Sequence, residues 1–135
     1  MKNVSILVPK NSFLQAIADP QYCFTAVNQF LTVSGSTPLF NVQLVGLKKE
    51  VYLNERRYSV HTDKLLKEVK KTDLIFIPAL FGDMPTAVAS NKKAVPGLLN
   101  NIIMGPKWHR CVLVLFYWHQ RVCCMEKNVQ HTGAL

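Results

Sequence analysis

Long hydrophobic runs are missing from this sequence. The longest apolar run is the eight residues Cys111–Trp118, far short of the roughly 18 to 20 residues that a membrane-spanning helix needs. The N-terminus carries one lysine and then an apolar stretch that stops at Pro9, which is too short for the core of a secretory signal peptide. These absences predict a cytoplasmic protein with no membrane partner.

Acidic residues are scarce as well. The chain has 16 Lys and Arg but only 8 Asp and Glu, which gives a net charge of +8. The basic residues occur in short groups between the predicted elements (LKKE, ERRY, KEVKK and NKK), and this scatter favours a solvated surface over a nucleic-acid-binding face. With 49% hydrophobic and 18% charged residues, the composition is that of a globular chain, and 135 residues allow one domain.

Cysteine, histidine and tryptophan are rare before residue 104 and concentrated after it. The tail contains three of the four cysteines, three of the four histidines and both tryptophans, which marks a compositional boundary. Thiols and imidazoles suit zinc or copper, but adjacent cysteines do not match the C-x2-C spacing of a tetrahedral site. We therefore expect no cofactor in this protein and no metal at the candidate ligands His109, Cys111, His119, Cys123 and Cys124.

The segment before this boundary alternates between strands and helices. VSILVP at Val4–Pro9 is an apolar run stopped by proline, as in a buried parallel strand. Asp19 and Pro20 predict the N-cap and first residue of a helix that ends at SGS, and FNVQLVG at Phe40–Gly46 predicts a second strand. The apolar face of this helix is predicted to contain Cys23, as a core residue, with Phe24, Val27, Phe30 and Leu31.

The second half of this segment continues the alternation. Two short strands around Asn54-Glu55 predict a β-hairpin, and a short helix capped by Asp63 is expected to follow. TDLIFIPAL at Thr72–Leu80 predicts the next buried strand, and PTAVASNKKAVPGLLNNII predicts a helix broken at Pro96. The inward residues of the short helix are predicted to be Leu65, Leu66 and Val69.

Strand, helix, strand, hairpin, helix, strand, helix is the order of a doubly wound α/β sheet with a small β-hairpin extension. Ligands of such sheets bind beyond the carboxyl ends of the strands, here the loops after Val8 and Ile77. The candidate ligand-binding residues in these loops are Asn11, Leu80, Phe81 and Asp83. For Asp83 two roles stay open, a helix cap or a border of the ligand pocket.

A known family has these segments in this order. MKNVSILVP, DPQYCFTAVNQFL, FNVQLVG, YSVHTD and TDLIFIPALFGD together resemble the amino-terminal domain of AraC-family transcriptional regulators whose sensor belongs to the PfpI/ThiJ, class I glutamine amidotransferase-like superfamily. The resemblance covers residues 1–103. It implies a flavodoxin-like sensor with a mostly parallel sheet, which binds a small-molecule effector and is able to form a homodimer. It also implies DNA contact only through a helix-turn-helix half that this chain does not include.

The family's next element, a nucleophile elbow close to GAEVASLCVGAFLLA, does not occur in this sequence. The genetic code places it one reading frame away. When the third base of each codon is joined to the first two of the next, Trp118-His119 must give alanine, Cys123-Cys124 leucine and Met125-Glu126 glycine. Each is the residue that the family has at that place. The sequence thus predicts that residues 104–135 are an out-of-frame tail, and that the sheet is incomplete.

The catalytic chemistry of the superfamily is not carried over to this chain. An elbow cysteine needs small neighbours and a lowered thiol pKa, whereas Cys111 lies in the apolar run RCVLV. In ALFGD, Ala79 and Leu80 stand where the enzymes have an oxyanion loop with glycines. We expect no catalytic residue and a sensing function; the alternative is a fragment of a cysteine amidase, protease or deglycase-like enzyme. CVLVLFYW is β-rich enough to serve as a substitute strand.

Overall fold

The computed structural model describes residues 1–92, 111–114 and 123–125. Eight strands and two α-helices form in this part of the chain. Their bounds are β1 Lys2–Val8, α1 Leu14–Val33, β2 Phe40–Gly46, β3 Glu50–Leu53, β4 Tyr58–His61, β5 Lys64–Leu65, β6 Leu74–Ile77, α2 Met84–Ser90, β7 Cys111–Val114 and β8 Cys123–Met125, with a 3-10 turn at Leu66–Glu68 between β5 and β6.

Six strands form one sheet in the order β5-β2-β1-β6-β7-β8. Strands β5, β2, β1, β6 and β7 are parallel, and β8 runs antiparallel to β7. The chain leaves β1 for β2 on one side and returns on the other side at β6, so the winding reverses between β1 and β6. This is the predicted doubly wound α/β architecture, and such a reversal opens a crevice at the carboxyl ends of the two strands.

The central strand β1 is buried on both faces, as its apolar run predicts. Val4, Ile6 and Val8 face one side, where α1 and the hairpin cover them, and Leu7 faces the other. The first cluster also contains Ile17, Val51, Leu53, Val60 and Phe76, and the second contains Val45, Leu66, Val69 and Ile75. The β3–β4 hairpin, predicted around Asn54-Glu55, therefore packs against the sheet and covers part of the core.

Helix α1 begins earlier than the sequence predicts. Its N-cap is Phe13, and Pro20 lies inside the helix instead of at its first residue. The start is set by tertiary contact, because the Phe13 N–H donates to the Ala79 carbonyl (3.1 Å). The expected cap signal at Asp19 and Pro20 is therefore wrong.

The predicted apolar face of α1 is wrong in part. Cys23 is exposed, and Val27 and Phe30 are 41% and 73% exposed. The inward stripe runs instead through Ile17 and Phe24, seven residues or about two helical turns apart, and Cys23 lies about 100° away from it. Cys23 is thus a surface residue.

The predicted helix after Asp63 is also replaced. The Asp63 carboxylate accepts the Leu44 N–H (2.7 Å) and the Asp63 N–H donates to the Leu44 carbonyl (2.9 Å). This pairing extends the sheet into β5, and only the 3-10 turn follows. Leu66 and Val69 are buried as predicted.

Strand β6 and its successors agree with the predicted order. The strand is shorter than Thr72–Leu80 because Pro78, which has no N–H, ends its ladder. Cys111–Val114 pairs in parallel with β6 in the register Ile75↔Val112, which confirms the predicted substitute strand. The helix break at Pro96 and the boundary at residues 103 and 104 lie outside the described residues, and the boundary stays a prediction.

Neither helix of the described ranges is long and apolar enough to cross a membrane.

Candidate functional site

The loops that follow β1 and β6 are joined to each other. Ser12 and Leu80 form an isolated antiparallel bridge, flanked by the Phe13 to Ala79 hydrogen bond and by one from the Phe81 N–H to the Asn11 carbonyl. The structure thus brings together three of the four candidate residues, Asn11, Leu80 and Phe81. The joined loops form the floor of the crevice predicted by the sheet topology.

Asn11 has a left-handed backbone, with φ at 62°. This conformation costs most side chains energy, but asparagine adopts it readily. Just beyond it, the buried Ser12 hydroxyl donates to the Pro9 carbonyl (2.7 Å). Together these features turn the chain sharply from β1 into α1, so that the first turn of α1 faces the crevice.

Asn91 fastens the same loop to the end of α2, a contact that the sequence does not reveal. Its side-chain oxygen accepts the Lys10 N–H (3.0 Å), and its amide donates to the carbonyls of Lys10 (3.0 Å) and Ala87 (2.8 Å). The Asn91 side chain is buried. An amide supplies the two donors and the one acceptor that this arrangement needs.

Asp83 combines the two roles left open by the sequence. Its carboxylate accepts the Thr86 N–H (3.0 Å) and the Thr86 hydroxyl (2.7 Å), which caps α2, and the residue also lines the cleft. The hydrogen bonds from the Thr86 hydroxyl and then from its N–H hold the pKa of the Asp83 carboxyl below its usual range.

A cleft of about 640 Å³ opens above the joined loops. The β3–β4 hairpin closes one side, and the loop residues close the other. In the floor, the rings of Phe13 and Phe81 meet edge to face, with centroids 5.3 Å apart at 86°. The lining residues are Asn11, Ser12, Phe13, Leu14, Gln15, Leu53, Asn54, Glu55, Tyr58, Phe81, Gly82, Asp83 and Thr86.

Three of the four candidate residues, Asn11, Phe81 and Asp83, line this cleft. Leu80 pairs with Ser12 in the joined loops but is not part of the lining. The sequence missed the hairpin residues, of which Tyr58 and Glu55 carry the largest polar groups. The hairpin was recognisable from its strands, but its position over the strand ends depends on packing of Leu53 and Val60 against β1.

The chemistry of the lining is that of a binding site. It offers aromatic rings, amide and hydroxyl groups, and two carboxylates, those of Glu55 and Asp83. Within the described lining no residue is a cysteine or histidine, and within residues 1–92, 111–114 and 123–125 no cluster of metal-ligating side chains occurs. This arrangement can hold a small molecule by stacking and hydrogen bonds.

The charge of Asp83 is expected to make a small, pH-dependent contribution to stability. Because its folded pKa is lowered, the contribution is complete above the unfolded pKa of about 3.9 and is lost as the pH falls through the folded value. Asp83→Asn should therefore lower Tm slightly at pH 6 and not at the acid end of the titration. The matched control is Asp19→Asn on the exposed side of α1. An Asp83→Asn deficit that persists unchanged into acid would contradict this assignment.

Comparison with solved structures reveals several similar folds. The chain is similar to a two-domain protein with DJ-1/ThiJ/PfpI-like and ferritin-like domains from Anabaena variabilis (TM-score 0.53, 19% identity, 84% of this chain and 29% of that chain). A DJ-1 superfamily protein from Salmonella typhimurium matches with TM-score 0.49, 15% identity, 84% of this chain and 55% of that chain. DJ-1beta from Drosophila melanogaster matches with TM-score 0.40, 14% identity, 85% of this chain and 74% of that chain.

No family model matches the sequence, and no curated protein matches it. The chain spans 29% of the Anabaena protein and 55% of the Salmonella protein. At 19% identity the likeness to the Anabaena protein shows the fold alone, a mostly parallel α/β sheet. The predicted fold class is therefore confirmed.

Proposed function

We propose that this chain is the ligand-sensing part of an AraC-family transcriptional regulator. A small-molecule effector binds in the cleft above β1 and β6, and a separate helix-turn-helix half of the intact regulator binds DNA. The observation that carries the proposal is the position of the cleft at the reversal of the sheet's winding, where open α/β sheets bind ligands. The segments from MKNVSILVP to TDLIFIPALFGD, which resemble such regulators, supply its specific form.

The size and walls of the cleft support sensing. Its volume of about 640 Å³ is within the range of roughly 300 to 1,000 Å³ typical of small-molecule sites. The walls come from three separately held parts: the hairpin, the joined loops and the start of α2. An effector that touches all three favours one arrangement of them over others, which is how ligand binding is coupled to a conformational equilibrium.

We propose further that the regulator is cytoplasmic, forms a homodimer in its intact form, and that residues 104–135 arise from a shifted reading frame. Nucleotide sequence across codons 100 to 106 tests the last point. A one-base gain or loss relative to intact genes is expected, and an undisturbed frame would reject it. The rest of the intact gene distinguishes the two functions. Two helix-turn-helix motifs encoded downstream of this segment would support the regulator, whereas a stop codon soon after the elbow helix would support a cysteine amidase, protease or deglycase-like enzyme.

Effector binding is expected to raise the melting temperature. In a thermal-shift screen of amino acids, amines and small carboxylic acids, a ligand at a hundredfold excess over its Kd contributes about 2.7 kcal/mol, or roughly 8 °C for a domain of this size. Phe81→Ala removes one of the two rings in the floor and should raise the Kd of such a ligand about tenfold, a loss of about 1.4 kcal/mol.

The matched control is Phe30→Ala, because Phe30 is a similarly exposed ring (73% against 60% for Phe81) on α1 and outside the cleft lining. It should leave the Kd unchanged. Equal weakening in both variants, or a screen in which no compound raises Tm, would count against the cleft as an effector site.

A further inference from the structure

The cleft above the joined loops has a charge balance opposite to that of the whole chain. Among its thirteen described lining residues two are acidic, Glu55 and Asp83, and none is a lysine, arginine or histidine. The chain as a whole has 16 Lys and Arg against 8 Asp and Glu. The lining is therefore a locally negative part of a basic protein.

Both carboxylates of the lining can accept hydrogen bonds from a ligand. Within the described ranges, no hydrogen bond or ion pair engages the Glu55 carboxylate. The two hydrogen bonds that Asp83 accepts from Thr86 use the same oxygen, Oδ2, which leaves Oδ1 open. Because these bonds lower the pKa of the Asp83 carboxyl, the group is ionised at neutral pH. A donor that enters the cleft thus meets charged acceptors.

The hairpin keeps its own positive charge away from this lining. Val51 and Leu53 are buried, so Tyr52 between them lies on the opposite face of the strand. The Arg56 guanidinium carbon lies 4.4 Å from the centroid of the Tyr52 ring, which is a cation–π contact. Arg56 is thereby held on the outer face of the hairpin, whereas Glu55, its neighbour in the turn, lines the cleft.

Two further cations are next to lining residues in the sequence. Lys10 precedes Asn11, and Arg57 precedes Tyr58. Both side chains are exposed, and neither belongs to the lining. In the described residues no ion pair joins either of them to a carboxylate of the cleft.

The turn that carries Glu55 has an unfavourable backbone. Asn54, Glu55 and Arg56 have φ angles of 47°, 55° and 69°, and this left-handed region is costly for side chains other than asparagine, aspartate or glycine. A hydrogen bond from the Arg57 N–H to the Asn54 carbonyl (3.0 Å) closes the turn. Such backbone conformations persist where surrounding contacts hold them, often beside ligands.

Two partly exposed aromatic rings accompany the carboxylates. Phe81 and Tyr58 are 60% and 49% exposed, and both line the cleft. Tyr58 is the cross-strand partner of the buried Leu53, so the two side chains lie on the same face of the hairpin. An aromatic ring attracts a cation over its face and packs against hydrocarbon.

We propose that the effector of this cleft is an organic cation without a carboxylate or phosphate group, namely a protonated amine joined to an aromatic ring or a short hydrocarbon chain. This inference rests on the proposed function of the cleft as an effector site and names the chemical class that it takes. The ammonium group, which only donates, binds at Glu55 and Asp83, which only accept. The apolar part packs on the rings of Phe81 and Tyr58.

An anionic effector does not suit the same lining. It would meet two like charges, and the described lining holds no cationic side chain to compensate them. Specificity of this kind comes from repulsion of the wrong ligand as well as attraction of the right one.

The test is a titration of the full chain with three compounds that share a phenyl ring and a dimethylene linker: phenethylamine, phenethyl alcohol and hydrocinnamate. Amide chemical shifts of the cleft residues give each Kd. Phenethylamine is expected to bind about tenfold more tightly than phenethyl alcohol, the difference that a hydrogen bond to a charged group produces. Hydrocinnamate is expected to bind least tightly, and added salt should reduce the preference for the amine.

A charge-removing substitution locates the preference within the cleft. Glu55→Gln keeps the size of the side chain and should raise the Kd of phenethylamine about fivefold, while the Kd of phenethyl alcohol stays the same. The matched control is Glu50→Gln, because Glu50 lies on the outer face of the same hairpin, where it accepts the Tyr52 hydroxyl (3.0 Å). It should leave both Kd values unchanged.

The compound series uses the unsubstituted chain, so it does not depend on the folding of a variant. Equal Kd values for the amine and the alcohol, tighter binding of hydrocinnamate, or equal effects of Glu55→Gln and Glu50→Gln would overturn the cationic class. If the alcohol or the carboxylate then bound with a Kd that Phe81→Ala raises, the cleft would remain an effector site. Absence of shifts in the cleft with all three compounds would reject the effector site and the cationic class together.

Discussion

Replacing Ile6 by alanine is expected to lower the free energy of unfolding by about 2 to 5 kcal/mol. Ile6 is fully buried in the central strand, where it pairs with Leu44 on one side and Phe76 on the other. Its side chain packs against the cluster that joins the sheet to α1 and to the hairpin. The substitution removes apolar contacts and leaves a cavity that close-packed neighbours fill only partly.

Urea unfolding measures this loss. The matched control is Val33→Ala, because Val33 is an aliphatic side chain that is 87% exposed at the end of α1, and its truncation should change stability by less than about 0.5 kcal/mol. If Ile6→Ala cost no more than Val33→Ala, the first core cluster would not be the centre of the fold.

Replacing Asn91 by aspartate is expected to cost roughly 3 kcal/mol at neutral pH. The new carboxylate would face the carbonyl oxygens of Lys10 and Ala87, both of which now accept hydrogen bonds from the Asn91 amide. An acceptor-only group cannot replace those donors. Because the site is buried, the charge would also be poorly solvated.

The pH dependence separates this effect from general disruption. Burial without donors raises the folded pKa of the new carboxyl above its unfolded value of about 3.9. Protonation restores one donor, so the stability deficit of Asn91→Asp should shrink as the pH falls from the folded pKa to about 3.9 and stay constant below it. Asn41→Asp is the control, since Asn41 is exposed and donates a single side-chain hydrogen bond to Asn3. A deficit for Asn91→Asp that equals that of Asn41→Asp at every pH would contradict the role of Asn91 in fastening the strand-end loop.

The elements of the sheet could be predicted because local sequence and burial agree there. Val4–Pro9 and Phe40–Gly46 are mostly apolar segments that end at proline or glycine, and strands in the middle of a parallel sheet need such segments. The order of the elements then implied the winding and the strand-end loops. Three of the four candidate residues line the cleft as a consequence of that topology.

The failures occur where a distant contact overrides a local signal. Asp19 and Pro20 form a good helix start in isolation. The hydrogen bond from Phe13 to Ala79 instead places the N-cap at Phe13, six residues before Asp19. Aspartate is a common helix N-cap, yet the Asp63 carboxylate accepts the Leu44 N–H of the neighbouring strand. Asn91 and Tyr58 could not be found at all, because their importance arises from loops that meet only in the folded chain.

The most direct test of the account is amide chemical-shift mapping of the full chain with the compounds that raise its melting temperature. The shifts are expected to concentrate in the joined loops, the hairpin turn and the start of α2, in particular at Asn11, Tyr58, Phe81 and Thr86. Shifts confined to the outer face of α1 would contradict an effector site at the reversal of the sheet.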